Sequence, residues 1–139
     1  MRVVLDPNVL VSALISPAGP PREILAAWIQ GRFELIVSPA LLTELADVLA
    51  RAKFRRWVSA ATAAEFVDGL AEDALVIEDP EPQPGLSPDP DDDYLITLAR
   101  TGAADYLISG DGHLTGLADP TPPVFTPRQF RELLAEAIE

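Results

Sequence analysis

The chain of 139 residues contains no cysteine and only one histidine, His113. Without cysteine it has neither a disulfide scaffold nor a thiolate metal site, and a cytoplasmic protein is expected. The single histidine excludes multi-histidine zinc sites and any Ser-His-Asp mechanism that would use another histidine. Chemistry in this chain therefore has to rest mainly on carboxylates.

Long hydrophobic runs are also missing, because no apolar segment approaches the roughly 20 residues that a membrane span requires. The N-terminal segment meets a carboxylate at Asp6, which argues against a secretory signal peptide. Hydrophobic residues make up 48% of the chain and are spread along it, unlike the composition of a disordered acidic protein. The length predicts a single domain over residues 1–139.

Positive charge is scarce, with 10 Lys and Arg against 22 Asp and Glu and a net charge of −12. This balance does not favour capture of nucleic acid, since proteins that neutralise phosphates are usually basic. Four cations nevertheless lie within six positions, beside Phe54 and Trp57: Arg51, Lys53, Arg55 and Arg56. The segment is either a solvated helix end or a patch that contacts phosphates while its aromatic side chains stack on bases.

Short apolar runs alternate with segments of helical spacing. The runs predict strands at residues 3–5, 34–37, 74–77, 106–108 and 124–125. Helices are predicted from residue 7 to a break beginning at residue 16, then at 21–30, 39–51, 59–72, 91–100 and from 126–127 to 138. Residues 78–90 hold five prolines and are expected to form an irregular loop. Alternating strands and helices predict an α/β fold with a mainly parallel sheet.

Acidic residues follow the predicted strands where these end. Asp6 follows the first strand, Asp111 follows the fourth, and Asp91–Asp93 open the helix after the proline-rich loop. Glu44 lies six residues into the helix after the second strand, about 9 Å along its axis, at the border of the predicted buried side. Because ligands bind outside the carboxyl ends of parallel strands, we expect these acids to converge there.

Each acid also has an ordinary structural explanation. Asp6 suits a helix N-cap, Glu44 a helix surface, Asp91–Asp93 a first turn that complements the helix dipole, and Asp111 a turn. Together they point to a cation, since like charges about 4 Å apart repel by roughly 4 kcal/mol at an effective dielectric of about 20. Oxygen ligands suit Mg²⁺ or Mn²⁺, and one or two such ions would activate water for attack on a phosphate.

Four segments together resemble the PIN-domain ribonucleases: LDPNVLVSAL, ELIVSPALLTEL, DPDDDYLITLA and YLISGDGHL. They occur in the family's order and spacing, and the resemblance spans residues 2 to about 131. Within this family, the four segments most resemble the bacterial toxins of toxin–antitoxin pairs that are related to the VapC group. It implies a PIN-like three-layer α/β/α fold with a four- to five-stranded, mainly parallel sheet. The implied activity is metal-dependent endoribonuclease cleavage of single-stranded RNA.

Carried over by position, the resemblance also implies roles for individual residues. The implied catalytic residues are Asp6, Glu44, Asp93 and Asp111, and the implied metal ligands are Asp6, Asp92, Asp93 and Asp111. Asn8 and Ser109 match polar positions that orient the acids or waters. The cations that would hold the RNA backbone are Arg51, Lys53, Arg55 and Arg56. The implied cofactor is Mg²⁺ or Mn²⁺, and the implied partners are an antitoxin protein and a second copy of the chain.

Two positions depart from the family's pattern. Pro7 stands where a threonine or another small polar residue is usual, and His113 stands where many relatives have a further acid. We expect His113 to be a surface residue at a helix start. An apolar helix surface at Leu25, Trp28 and Ile29 would serve a partner protein, a self-dimer or the core equally well.

Two other function classes remain open. A non-catalytic PIN-like module that binds RNA or protein would carry the same motifs. A phosphatase of the haloacid dehalogenase type also uses an aspartate after its first strand. That chemistry requires a second acid where Asn8 stands and a lysine later in the chain than Lys53. Cleavage of generic RNA with and without metal discriminates between these classes.

Overall fold

A five-stranded parallel sheet forms the centre of the fold. The computed structural model describes residues 1–81, 83, 85–86 and 90–138, and of residues 90–92 and 138 it describes the backbone alone. The strands are β1 (Arg2–Leu5), β2 (Glu34–Val37), β3 (Leu75–Val76), β4 (Tyr106–Ile108) and β5 (Val124–Phe125). Their order across the sheet is β3-β2-β1-β4-β5, and every neighbouring pair is parallel. The predicted α/β fold with a parallel sheet is confirmed.

Seven α-helices lie in the described part of the chain. They are α1 (Pro7–Ile15), α2 (Pro20–Ile29), α3 (Pro39–Leu49), α4 (Ala60–Asp73), α5 (Pro90–Thr101), α6 (Gly112–Thr115) and α7 (Pro127–Ile138). Five of them begin with proline, whose missing N–H falls where a helix has no internal acceptor for it. No helix among the described residues is long and apolar enough to cross a membrane.

The helices form layers on the two faces of the sheet. Helix α1 contacts α2 and α3, and α2 contacts α7, so these helices form one layer. Helix α5 contacts β1 and β4. The chain runs outward from β1 to β3 and then returns through α5 to β4, so right-handed crossovers place α5 on the opposite face. The reversal of strand order falls between β1 and β4.

The core lies between the sheet and these helices. Strand residues such as Val4, Ile36 and Leu107 are fully buried, and α3 packs against them with Leu41 and Leu45. Each such side chain contributes roughly 1.5–3 kcal/mol when it leaves water. This packing fixes the carboxyl ends of the central strands, where the predicted site residues begin.

Most predicted element boundaries agree with the structure within one or two residues. One correction concerns α3, which ends at Leu49 and not at Arg51. Arg51 has extended backbone angles and leads into a 3₁₀ turn at Ala52–Phe54, which was not predicted. The cationic segment is therefore a tight turn between α3 and α4 and not the end of a helix.

Candidate active site

Asp6 and Ser109 lie side by side at the carboxyl edge of the sheet. In the pairing of β1 with β4, Leu5 stands opposite Ile108, so the following residue of each strand meets the other. The Asp6 N–H donates to the Ile108 carbonyl at 2.9 Å, and the Ser109 hydroxyl donates to Asp6 Oδ2 at 2.8 Å. The strand order reverses at this point, which is where open α/β sheets bind ligands.

The Asp6 carboxyl is buried, with 5% of the residue exposed. It caps α1 by accepting a hydrogen bond from the Asn8 N–H at 3.0 Å, which satisfies one donor of the first turn. Burial raises the pKa of Asp6, and the nearby charge of Asp111 raises it further, against the lowering effect of its hydrogen bonds from Asn8 and Ser109. The ionised form of Asp6 is therefore less favourable here than in water.

Asp111 stands just beyond β4 and caps α6. Its N–H donates to the Ser109 hydroxyl at 2.9 Å, so this one hydroxyl connects the backbone of Asp111 with the carboxyl of Asp6. Asp111 Oδ1 accepts a hydrogen bond from the His113 N–H at 2.8 Å, and the His113 ring nitrogen lies 3.6 Å from the same oxygen. His113 is exposed near the start of α6, in agreement with the prediction.

A cleft of about 390 Å³ opens beside this pair of acids. Its size falls within the range of small-molecule sites. The polar side chains that line it lie along α1 and at the N-caps of α1 and α6: Asp6, Asn8, Ser12 and Asp111. Solvent and small hydrated ions therefore have access to the acid pair.

Asp93 is buried near the start of α5. Its Oδ2 accepts a hydrogen bond from the Gly85 N–H at 3.0 Å, and its carbonyl accepts one from the Thr97 hydroxyl at 2.9 Å. The carboxylate thus holds the backbone of the proline-rich loop. The side chain of the neighbouring Asp92 lies outside the described residues.

Glu44 lies on the exposed surface of α3, which corrects the expectation that it borders the buried side. It lines a second cleft, of about 640 Å³, that extends along this helix. Asp79 stands in the same cleft and accepts the Ala40 N–H with both carboxylate oxygens, at 3.2 and 3.1 Å. Arg51 also lines this cleft, so Glu44 shares it with the first residue of the cationic segment.

Ser38 and Tyr94 are site residues that the sequence reasoning did not single out. Ser38 is fully buried after β2, caps α3, and is hydrogen-bonded to the Tyr94 hydroxyl. Burial raises the pKa of Tyr94 to about 12, and the charges of Asp79 and Glu44 contribute to the increase. A signal for Ser38 was present, because Ser38-Pro39 repeats the cap-and-proline pattern of Asp6-Pro7.

Among the described side chains, no group of three or more acids and histidines is arranged to hold one metal ion. The structure instead brings two acids together at the reversal of strand order, Asp6 and Asp111. Mg²⁺ commonly keeps several waters and binds through one or two carboxylates. A buried carboxyl with a raised pKa beside a second acid therefore fits a single hydrated ion.

The four cationic side chains of the segment after α3 differ in their exposure to solvent. Arg51, Lys53 and Arg56 are exposed. Arg55 is half-buried, and its guanidinium donates to the Leu49 carbonyl at the end of α3. Its Nε and Nη1 are buried without a hydrogen-bond partner among the described residues. Arg55 therefore anchors the turn, while the other three cations face solvent.

A family model described as a PIN domain matches residues 2–113, which is most of the chain. The chain belongs to the PIN-domain family. The matched range contains the four predicted catalytic acids, and the match confirms the resemblance to PIN domains. This PIN domain is also similar to the uncharacterized protein MJ1680 of Methanocaldococcus jannaschii. The two are 28% identical over 141 residues, which cover 95% of this chain and 90% of that protein.

Two solved structures share the fold of this PIN domain. One is PAE2754 from Pyrobaculum aerophilum, with a TM-score of 0.64 and 15% identity over 97% of this chain and 89% of that chain. The other is VapBC2 from Rickettsia felis, in a structure with a DNA fragment from its promoter. It also has a TM-score of 0.64 and 15% identity, over 91% of this chain and 98% of that chain. At this identity the likeness concerns the fold alone.

Proposed function

We propose that this PIN domain is a metal-dependent endoribonuclease that cleaves single-stranded RNA. Family membership supports the proposal, and the observation that carries it is the buried Asp6 carboxyl beside Asp111. A buried carboxyl beside a second, partly exposed acid is stabilised by either a proton or a cation. A cleft for the substrate opens directly beside them.

Asp6 and Asp111 would hold a Mg²⁺ or Mn²⁺ ion, with Asp92 and Asp93 as the candidates for further ligands or for a second ion. When bound, such an ion supplies an activated water and stabilises the charge that develops on the leaving oxygen. Ser109 orients Asp6 through its hydroxyl and fixes the backbone of Asp111 through the same oxygen. A rigid pair of acids lowers the cost of ordering the site for each substrate.

The remaining predicted residues take supporting roles in this proposal. Asn8 lines the cleft beside Asp6 and would contact water or a phosphate oxygen. Glu44 would orient the attacking water from the neighbouring cleft along α3. The exposed cations would hold the RNA backbone: Arg51, Lys53 and Arg56. Arg55 would act indirectly, because its guanidinium holds the turn against the Leu49 carbonyl.

We further propose that the protein is the toxin of a toxin–antitoxin pair. The support is a shared fold with a chain of VapBC2 from Rickettsia felis. A partner protein or a second copy would find apolar surface at Ile29, which is 73% exposed, and at the half-buried Trp28. Leu25 is buried and offers little to such a contact.

The decisive experiment is RNA cleavage in Mn²⁺ with and without EDTA, using the unmutated protein and the Asp6→Asn variant. We expect cleavage to require the metal and to disappear in the variant, because the variant loses one charged ligand. Asp68→Asn is the matched control, since Asp68 is exposed on α4 and removal of its charge leaves the acid pair intact. Cleavage that survives both EDTA and Asp6→Asn would contradict the proposal.

The second candidate function is a PIN-like binding module without catalysis. It is favoured by the absence of a three-acid metal cluster among the described side chains. Such a module would bind RNA or a protein but leave varied RNAs intact in Mg²⁺ and Mn²⁺. The phosphatase hypothesis loses its basis, because the chain belongs to the PIN-domain family and Asn8 stands where that chemistry requires an acid.

A further inference from the structure

Trp57 is the only exposed aromatic side chain that the structure describes, with 56% of the residue accessible. Its neighbour Phe54 is half-buried against the core, and the other tryptophan, Trp28, is half-buried as well. An exposed indole ring forgoes the hydrophobic stabilisation that burial would provide. Its position on the cationic turn therefore suggests a ligand for the ring.

The backbone beneath Trp57 is held in place. The N–H groups of Trp57 and Val58 both donate to the Phe54 carbonyl at 3.0 Å, and Val58 is buried. The Arg55 guanidinium ties the same turn to the Leu49 carbonyl of α3. A ring on a fixed support loses little conformational freedom when a ligand stacks on it, which favours binding.

One cation lies over each aromatic ring of the turn. The Arg56 guanidinium lies 5.0 Å from the centre of the Trp57 ring, and the Lys53 ammonium lies 5.1 Å from the centre of the Phe54 ring. These are cation–π distances. No acidic residue falls between Arg51 and Trp57, although the chain as a whole carries a net charge of −12. The turn is thus complementary to an anionic ligand with an aromatic group.

The turn borders the cleft along α3, which shares none of its described lining residues with the cleft beside Asp6 and Asp111. Arg51 lines the cleft along α3 that also contains Glu44. The same cleft is also lined by the acids Glu44, Asp47 and Asp79, so a polyanion would be held on its cationic side, at the turn.

We propose that Trp57 stacks on a base of single-stranded RNA while Arg51, Lys53 and Arg56 contact its phosphates. The inference rests on the proposed ribonuclease function, which it extends with a base-binding position. A single strand is favoured over a duplex, because its unstacked bases expose their faces to aromatic side chains. A strand also supplies the negative charge that the turn requires, which an apolar protein surface does not.

The test measures binding in EDTA, so that the strand is not cleaved. A labelled oligoribonucleotide of mixed sequence and an abasic strand of equal length are titrated with the unmutated protein and with Trp57→Leu. We expect Trp57→Leu to weaken binding of the base-bearing strand roughly 5- to 150-fold and to leave binding of the abasic strand unchanged. Val76→Thr is the matched control, because it changes an exposed apolar side chain of β3 that lies outside the turn.

Salt dependence separates the base contact from the phosphate contacts. Trp57→Leu should leave the slope of log K against log salt unchanged, whereas Arg56→Gln should reduce its magnitude by about 1 on both strands. Trp57→Phe should bind more tightly than Trp57→Leu, since it retains an aromatic face. In a Trp28→Phe protein, the fluorescence of Trp57 should be quenched by the base-bearing strand and not by the abasic one.

Three results would overturn the inference: no measurable binding of the base-bearing strand, equal binding by Trp57→Leu, or equal losses on both strands. Loss of a dimer in Trp57→Leu with unchanged RNA binding would assign the ring to a self-contact. Strands that bind through Trp57 but are never cut in Mn²⁺ would contradict the nuclease proposal alone. Cleavage with an unchanged KM in Trp57→Leu would contradict the stacking inference alone.

Discussion

The substitution Asp6→Asn is expected to abolish RNA cleavage and, in metal-free buffer, to raise the stability of the fold. Asparagine caps a helix as well as aspartate does, and its amide oxygen can accept the Asn8 N–H. Its amide nitrogen can donate to the Ser109 hydroxyl, which has lone pairs to accept with. The substitution therefore keeps the shape of the side chain and its two partners, reverses the direction of the hydrogen bond with Ser109, and removes the charge.

The magnitude follows from the position of the carboxyl. With 5% of the residue exposed and Asp111 nearby, the pKa of Asp6 is raised even though two hydrogen bonds stabilise its ionised form. Each unit by which a folded-state pKa exceeds the unfolded value costs the ionised form about 1.4 kcal/mol. A gain on the order of 1 kcal/mol for the asparagine variant would raise its Tm by roughly 3–5 °C in a chain of this length.

The pH dependence of this gain has a defined sign. The unfolded chain has an Asp pKa of about 3.9, and burial raises the pKa of Asp6 in the folded state. The folded state of the unmutated protein therefore binds this proton more tightly than the unfolded chain does. The stability that proton binding contributes is present below about pH 4 and is lost as pH rises through the folded-state pKa. The Tm advantage of Asp6→Asn should be absent near pH 4 and grow toward neutral pH.

Divalent metal should reverse the order of the two proteins. An ion at 100 times its Kd stabilises the unmutated protein by about 2.7 kcal/mol, whereas Asp6→Asn loses a ligand and most of this gain. Thermal melts in EDTA and in Mg²⁺ or Mn²⁺ measure both effects, with Asp68→Asn as the control. A Tm several degrees lower for Asp6→Asn in EDTA would show that the ionised cap stabilises the fold. No metal shift in the unmutated protein would refute the metal site.

Three further substitutions test other parts of the site and its support. Asp111→Asn should abolish cleavage and reduce the Tm gain from Mn²⁺; retained cleavage would remove Asp111 from the metal site. Tyr94→Phe removes the hydroxyl bonded to buried Ser38 and should lower the free energy of unfolding by about 1 kcal/mol in urea titrations. Gly102→Ala would place a Cβ 2.8 Å from Ile36 Cδ1 and should destabilise by about 1–3 kcal/mol; an unchanged Tm would contradict this packing.

The borders of the secondary structure were predictable because local chemistry determines them. The pairs Asp6-Pro7 and Ser38-Pro39 each place a capping side chain before a proline at the first helical position. Ser59 caps α4 through the Thr62 N–H. These signals involve residues within three positions of one another, so the sequence displays them directly.

The position of Glu44 was harder to predict, because it depends on contacts between distant segments. Helix α3 buries Leu41 and Leu45, and Glu44 falls beside them in the helical repeat. Whether that flank is covered depends on other elements, and the structure leaves Glu44 exposed in a cleft that it shares with Asp79. The apolar stripe of a helix fixes the centre of its buried face and not the limits of that face.

The contact of Ser38 with Tyr94 and the inward turn of Arg55 were also beyond local patterns. Ser38 and Tyr94 are 56 positions apart and meet only when the fold brings the start of α5 to the carboxyl end of β2. Arg55 belongs to a run of cations that composition alone treats as equivalent. Its guanidinium is distinguished only by its distance from the Leu49 carbonyl, which depends on where α3 ends.

A comparison within the fold separates the capping role of Asp6 from its proposed metal role. Ser38 occupies the same place after β2 as Asp6 does after β1, is followed by proline, and caps α3 while fully buried. A neutral hydroxyl is therefore sufficient to cap a helix at a buried strand–helix junction of this sheet. At Asp6 the helix N-terminus favours a negative charge, yet burial still raises the pKa of the carboxyl. Capping alone does not require a charge there, whereas the proposed coordination of a cation would use one.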